Sequence, residues 1–345
     1  MTRSSIVYQS FEGNSDEWHR LVTTYDDACL LQTWEFGEAK SKLGPWRVER
    51  GILLENEVCV GAVQTMIREV PLFNAGLAWI NRGPVGPIQD YGKALRALEQ
   101  YFCRERGFYL RIAPSRPFKS LPELEWEASG LNKTSVSGWA SAVVNLVESE
   151  EALRKKLHGK WRNALVSAER LELEIREDKN KYAFQAFLKG HSEHITSRGP
   201  GSGLETEFLA LLEDLLPVDR RPLCIAAYKD GDYLGGALIT QYGKTAEYLA
   251  GHNTLKGRVM NAGQSILWAA ITYLKANGVD KFDLGGMDEK LTPPGIFRFK
   301  KRIGGAPYRL MDEMEGFGPG LINRIIRWRV MGVKRRISGG NFDQL

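Results

Sequence analysis

The residues best placed to do chemistry lie near the end of the chain. Over 278–286 the sequence reads GVDKFDLGG, and over 295–305 it reads GIFRFKKRIGG. Phe282 and Leu284 are two apart, the period of one strand face, and Asp283 falls on the other. Gly285 and Gly286 then let the backbone turn or come close to a ligand. Thr292, Pro293 and Pro294 predict a helix start, with a hydroxyl cap and proline in the first turn. Gly304 and Gly305 predict its stop. The helix between carries Arg298, Lys300, Lys301 and Arg302 beside Phe297 and Phe299. A glycine loop followed by a cationic helix makes a place for an anionic substrate group. The competing reading is a closing strand and cap helix with a solvated basic face, the commoner meaning of a charge run.

Other chemistries find less support. His191 and His194 are three apart on one predicted helix, close enough to share a metal. No cysteine is nearby and Glu193 lies off that face, so the pair is expected on the surface and no metal is expected. No Ser-His-Asp order or nucleophile elbow is evident. Cys29, Cys59, Cys103 and Cys224 are far apart, with no Cys-x-x-Cys pair. That argues against a disulfide framework and a zinc site, and fits a reducing compartment. The beginning of the chain has no apolar core of a secretory signal, and no apolar run approaches the ~18 residues of a membrane span. The expected location is therefore cytoplasmic. The formal charge of +5 permits a polyanionic partner without demanding one.

The elements that must position these residues come from 345 residues with 43% hydrophobic and 26% charged content, enough for two globular domains. The first part reads as helix, then a second helix capped by Thr33, with Lys40 about two turns on. Strands at 47–54 and 58–66 form a hairpin. A strand from 77 runs into a Gly- and Pro-rich loop with Arg82 at its mouth. A helix over 90–106 and a strand over 108–112 follow. The second part opens with a strand over 142–146 and one long polar helix over 150–170. Helices at 181–194 and 205–215 come next, then strands at 223–228, 233–241 and 245–250, with Asp230-Gly231 as a hairpin turn. A helix over 261–276 leads into the organising stretch. Strand, helix, hairpins, helix and strand thus occur twice. This predicts an α/β fold of mixed sheets in two tandem domains, 1–148 and 149–320, with a basic amphipathic tail over 321–345. Acyltransferases of the GNAT type have this arrangement.

Four local matches then identify a family. The run QTWEFGEAK, from Gln32 to Lys40, is similar to a Q-[ST]-x-x-[WF]-x-x-x-K segment. Asn81, Arg82, Gly83 and Pro84 resemble an arginine-glycine-proline turn. The run KWRNALVSAE, from Lys160 to Glu169, resembles an R-N-x-[IL]-x-x-A-[EK] helix. Phe282 to Gly286, with Phe299-Lys300 and Gly304-Gly305, is similar to a closing D-x-x-G…F-K…F-G-G signature. In this order they resemble the Fem family of peptidyl aminoacyltransferases, which build peptidoglycan interpeptide bridges from two GNAT-like domains. The resemblance implies aminoacyl-tRNA as co-substrate, with no resident cofactor, and an amine of a peptidoglycan precursor as acceptor. It implies that Lys40 and Arg198 bind the precursor's diphosphate, with Trp34 and Arg82 also on the substrate side. It places Phe299 and Lys300 near the aminoacyl ester. Many members carry a coiled-coil arm, but 170–223 has no heptads long enough for one, so a compact, arm-less member is expected.

Aminoacyl transfer passes through a tetrahedral oxyanion, which needs donors or positive charge. Lys300 would supply that charge or hold the terminal phosphate of the tRNA. Asp283 would take a proton from the attacking amine, or serve structurally while the peptide's own carboxylates do so. Lys160, Arg162 and Lys301 would meet tRNA phosphates, although interleaved glutamates also suit an ordinary solvated helix. Trp46, Trp79 and Trp139 would stack on a uridine ring or pack in the core. Acyl-CoA is the alternative donor, but the run from Gly251 to Gly263 lacks the [QR]-x-x-G-x-[GA] spacing of a pyrophosphate cradle. A non-catalytic GNAT-like module is the third possibility. The 321–337 tail either touches the inner membrane face or packs back on the second domain.

Overall fold

The computed structural model describes residues 5–337 apart from 71, 72, 74, 119, 121–127, 179, 180 and 199–203. The first stretch holds β1 (Ile6–Ser10), α1 (Ser15–Thr23), α2 (Trp34–Leu43), β2 (Arg47–Glu55), β3 (Val58–Glu69), β4 (Gly76–Asn81), α3 (Tyr91–Glu99), β5 (Tyr109–Ala113) and β6 (Asn132–Lys133). The middle holds β7 (Ala140–Asn145), α4 (Glu150–Lys156), α5 (Gly159–Glu169), β8 (Glu174–Asp178), α6 (Lys181–Arg198), α7 (Thr206–Leu215), β9 (Leu223–Lys229) and β10 (Asp232–Tyr242). It continues with β11 (Thr245–Asn253), α8 (Leu255–Val259), α9 (Ala262–Ala276), β12 (Lys281–Asp283), α10 (Pro294–Lys301) and β13 (Ala306–Arg309). Last come β14 (Met314–Phe317) and α11 (Leu321–Ile337).

Two compact units result. The first comprises the chain up to Trp139 with Arg309–Arg336, and the second is built on Ala140–Tyr308. Each has a seven-stranded sheet, ordered β1-β2-β3-β4-β5-β14-β6 and β13-β7-β12-β11-β10-β9-β8. In the first, β4 runs parallel to β5, and in the second β11 runs parallel to β12. A parallel pair needs a crossover. Helix α3 supplies one, burying Leu95 and Leu98 against Ile80, Leu110 and Ile112. Helix α9 supplies the other, burying Ile266, Ile271 and Leu274 against Ile225, Ala246 and Phe282.

Several expectations need correction. The predicted boundary near 148 falls instead after Trp139, because β7 pairs with β12 and so belongs to the second sheet. The chain does not leave the first unit for good. Strand β14 returns to lie between β5 and β6. It is held by a buried ion pair between Arg111 and Glu313, the residue just before it, and by Glu315, which takes the Tyr109 hydroxyl at 2.7 Å and the half-exposed Arg327 guanidinium. Breaking such a buried pair leaves an uncompensated charge, which is strongly destabilising. The predicted helix over 150–170 is two helices, broken at Leu157 and His158, where buried Leu157 takes an extended conformation and His158 caps the second helix through Nδ1. The helix after Asp90 widens into a π-type turn from Gln100 to Glu105. The chain before α1 contains β1, which pairs with β2.

Candidate active site

In the second unit the organising stretch folds around Asp283. Strand β12 places Phe282 in the core and buries Asp283 as well. Both oxygens of the Asp283 carboxylate are engaged. Oδ1 accepts from the Ser141 hydroxyl at 2.5 Å and from the Gly285 amide at 2.8 Å, and Oδ2 accepts from the Tyr308 hydroxyl. Ser141 also bonds the Gly285 carbonyl, at 2.7 Å. The loop is thereby closed on the carboxylate. Gly285 has a φ of +69°, and a Cβ there would lie 2.6 Å from the Tyr248 carbonyl, so glycine is required.

Helix α10 then delivers Lys300 onto this loop. Its start differs from expectation. Pro293 takes the cap position without a side-chain bond, Pro294 opens the first turn, and Thr292 accepts the Asp288 amide at 2.9 Å instead. Lys300 is buried, although the helix around it is largely exposed. Its Nζ donates to the Gly286 carbonyl at 3.1 Å and lies 5.0 Å from the centre of the Tyr248 ring. Burial lowers its pKa to about 8, against the opposing pull of Asp283 and Glu247. Glu247 faces Asp283 across the parallel pair and is buried too. Burial keeps the Tyr248 hydroxyl protonated. A β-bulge, where the β10–β11 register shifts between Leu238 and Ile239, lies beside Tyr248, a position that re-aims a side chain. Strand β11, Tyr248 and Glu247 therefore complete a buried cation site that the sequence reading assigned to β12 and α10 alone.

Phe299 packs its ring 6.0 Å from Trp161 of α5, and the His158 amide donates to the Arg302 carbonyl at 2.9 Å. These contacts join the start of α5 to the end of α10. Lys160 and Lys301 are exposed and Arg162 half-buried on those two elements. Lys301 lies 5.5 Å from the Phe297 ring centre. Other cations nearby are already paired: Arg154 with Glu169 at 2.6 Å and Lys156 with Glu148 at 2.5 Å.

In the first unit, Thr33 caps α2 by accepting the Phe36 amide, and Lys40 lies 5.7 Å from the Phe36 ring centre. Trp34 is covered by a residue not foreseen, Arg50, whose guanidinium sits 3.5 Å from its ring centre. Arg50 also bonds Glu38 at 3.0 Å and Gln64 at 2.9 Å. Gln32, fully buried, donates to the Asn81 carbonyl at 2.9 Å and accepts the Gln64 amide at 2.7 Å. Arg82 follows directly, with φ at +52° and its guanidinium 5.3 Å from the Trp139 ring centre. The loop beyond is tied down by Asp27, which takes the Gly86 amide and Arg116, both at 2.9 Å. Trp46 and Trp79 are buried against each other at 6.0 Å, which is core packing. Arg198 ends α6, and its side chain lies outside the described residues.

His191 is not on the surface. It is buried and stacked 5.3 Å from Phe187, with Nε2 against the Leu204 carbonyl at 3.0 Å. Among the described residues no group of His, Cys, Asp and Glu is placed to hold a metal. The run from Gly251 to Gly263 passes from the end of β11 through the short helix α8 to the start of α9. Its Gly257 amide is capped by Thr254, and a Cβ at Gly257 would meet the Leu234 carbonyl at 2.0 Å.

A family model described as Acetyltransferase (GNAT) domain matches residues 152–301, a range inside the second unit that ends just past Lys300. The Lipid II:glycine glycyltransferase of Staphylococcus saprophyticus is 21% identical over 368 aligned positions, covering 83% of this chain and 88% of that protein. The crystal structure of FemX matches with a TM-score of 0.76 at 16% identity, covering 94% of this chain and 99% of that one. A tandem GNAT protein from the clavulanic acid biosynthesis pathway matches with a TM-score of 0.53 at 11% identity, covering 92% of this chain and all of that one (100%). The fold is the expected one, two tandem GNAT-like units of mixed α/β structure.

Proposed function

We infer, taking the chain as a Fem-like acyltransferase of the GNAT type, that it moves an amino acid from aminoacyl-tRNA to an amine of a peptidoglycan precursor. The observation that carries this reading is Lys300: a buried ammonium on a glycine loop, bonded to one carbonyl, beside one aromatic face and within reach of the Asp283 and Glu247 charges. In the reaction the acceptor amine attacks the ester carbonyl, a C–N bond forms, and the carbonyl oxygen becomes an oxyanion. The Lys300 ammonium stabilises that charge from a buried position, with the Asp283 and Glu247 carboxylates nearby keeping it protonated. The C–O bond to the ribose then breaks. The amine's proton leaves with the ribose oxygen, carried there by solvent or by a carboxylate of the peptide acceptor. Asp283, with both oxygens engaged, holds the loop that Lys300 rests on and acts as a positioning residue.

Lys160, Arg162 and Lys301 are assigned to the tRNA backbone, with Phe299 fixing α5 against α10 beneath them. Lys40, Trp34 and Arg82, with Arg198 by resemblance alone, are assigned to the acceptor. The occupied loop around Gly257 weighs against a CoA pyrophosphate at that position. The test is donor dependence. Purified protein receives a cell-wall precursor pool with either charged total tRNA or acetyl-CoA, and products are read by mass. A gain of an amino-acid residue mass, abolished by RNase, is expected. Acetyl addition that survives RNase would overturn the reading.

A further inference from the structure

Over 321–330, where its side chains are described, helix α11 docks by one face, and it docks on the first unit rather than the expected second, because Asn323 reaches the Gly107 carbonyl. Asn323 is buried and its amide donates to the Gly107 carbonyl at 2.8 Å and the Gly318 carbonyl at 3.2 Å. Val330 is buried two turns later. The opposite face carries Leu321, Ile325 and Trp328, at 73%, 55% and 75% exposure. On a helix of ~3.6 residues per turn these three fall within about 60° of arc, directly away from Asn323 and Val330. Arg324 flanks this stripe on one side and Arg329 on the other, both exposed. Arg327 is set further round and bound to Glu315, so it belongs to the fold. Beside the stripe lies a cavity of about 900 Å³ lined by Phe317, Arg324, Arg327 and Trp328 among others.

We propose that this face of α11 docks on an anionic lipid surface. Three apolar side chains in line, edged by arginines, are what an interfacial helix presents: the apolar stripe enters the acyl boundary and the guanidinium groups meet phosphates. Tryptophan suits that depth because its ring is apolar and its N–H remains hydrogen-bonded at the headgroup level. The recess beside Trp328 is lined by Arg324 and by the Arg327–Glu315 ion pair, so Arg324 is the cation it offers to a phosphate. No described helix is long and apolar enough to cross a membrane, so the contact is peripheral. A nucleic-acid partner would use the arginines but has no need of the exposed Leu321 and Ile325. The inference is independent of the reaction proposed above, since binding is read without turnover.

The experiment is co-sedimentation of the full chain with phosphatidylcholine vesicles, with or without about one third phosphatidylglycerol. The expected partition into anionic vesicles is at least ~10-fold the neutral one, and it falls steeply between about 0.1 and 0.5 M salt. Ile325→Ser with Trp328→Ser, and separately Arg324→Glu with Arg329→Glu, should each cut it by roughly tenfold or more. Because these side chains are exposed, the melting temperature should stay within a few degrees of the parent's. Failure of the parent to bind anionic vesicles overturns the proposal, as does binding that both double variants retain. A parent dimer that becomes monomeric in Ile325→Ser with Trp328→Ser, with no vesicle binding, would put a second copy on this face. Retention of total tRNA that only the Arg variant loses, again without vesicle binding, would put RNA there.

Discussion

The two units close their parallel strand pairs by the same crossover and then treat their cations differently. In the first unit, Arg50 is spread over Glu38, Gln64 and the Trp34 carbonyl, and Arg116 over Asp27 and the carbonyls of Gly86 and Ile88. Each of those guanidinium groups makes three such bonds and holds loops in place. In the second unit, Lys300 is buried with one carbonyl acceptor and a ring face, while Asp283 beside it is consumed by Ser141, Gly285 and Tyr308. A guanidinium tied to several loop acceptors is scaffold. A buried ammonium with one hydrogen-bonded carbonyl keeps donors for a group that arrives, while the nearby Asp283 and Glu247 favour its charged form. On the function proposed above, the first unit shapes the acceptor side and the second carries the reaction.

The sharpest way to break this comparison is at Lys300. Lys300→Met should lower transfer by about 10²–10³-fold, the cost of losing one preorganised oxyanion donor, measured with charged tRNA as donor. The same variant should be more stable at neutral pH. The shift from 10.5 to about 8 corresponds to at most about 3 kcal/mol, at 1.36 kcal/mol per unit. The sign follows from linkage. The folded pKa lies below the unfolded one, so between about 8 and 10.5 the unfolded chain binds more protons, and parent stability rises with pH across that window. The variant should lack that rise in chemical denaturation at pH 7 and pH 10. If the ammonium has the proposed role, parent activity should fall as pH climbs past about 8.

Asp283→Asn tests whether the neighbouring carboxylate positions or reacts. An amide cannot accept all three bonds, so the loop loosens. A drop in kcat of about 10- to 100-fold and a loss of about 1–3 kcal/mol of stability are expected. A positioning role leaves the acid limb of the pH–rate profile in place. Disappearance of that limb in the variant would make Asp283 the base and remove the contrast drawn here.

The smallest effect is expected in the first unit. Arg50→Ala removes the cover of Trp34 and one partner of Gln64. It should raise KM for the acceptor by about tenfold while changing kcat by less than about twofold, the pattern of lost ground-state binding. A change in KM for the aminoacyl-tRNA instead would assign the first unit to the donor.

Much of this was legible in the residues. The Asp283-Gly285-Gly286 turn, the helix around Lys300 and the Thr33 cap follow from glycine, proline and hydroxyl chemistry acting within a few positions. The hairpins, the crossover helices and the doubled order are periodicities of two and 3.6. Strand β14 was missed because its burial hides Glu313 and Glu315, charges that a pattern reader assigns to solvent, and they are buried only because Arg111, Tyr109 and Arg327 meet them. The break at Leu157 escaped for a similar reason: a long charged helix reads as continuous, and it is packing of Leu157 into the core that ends it.

What the sequence determined by itself is local: which stretches turn, which pair, and which lysine follows a glycine loop. Tertiary structure alone decided that Lys300 is buried under Tyr248, that Glu247 faces Asp283, and that Arg50 covers Trp34. The reason is that a lysine's charge state and a carboxylate's freedom depend on the desolvation and donors around them. Those come from residues far away in the chain, brought together only when the sheet forms.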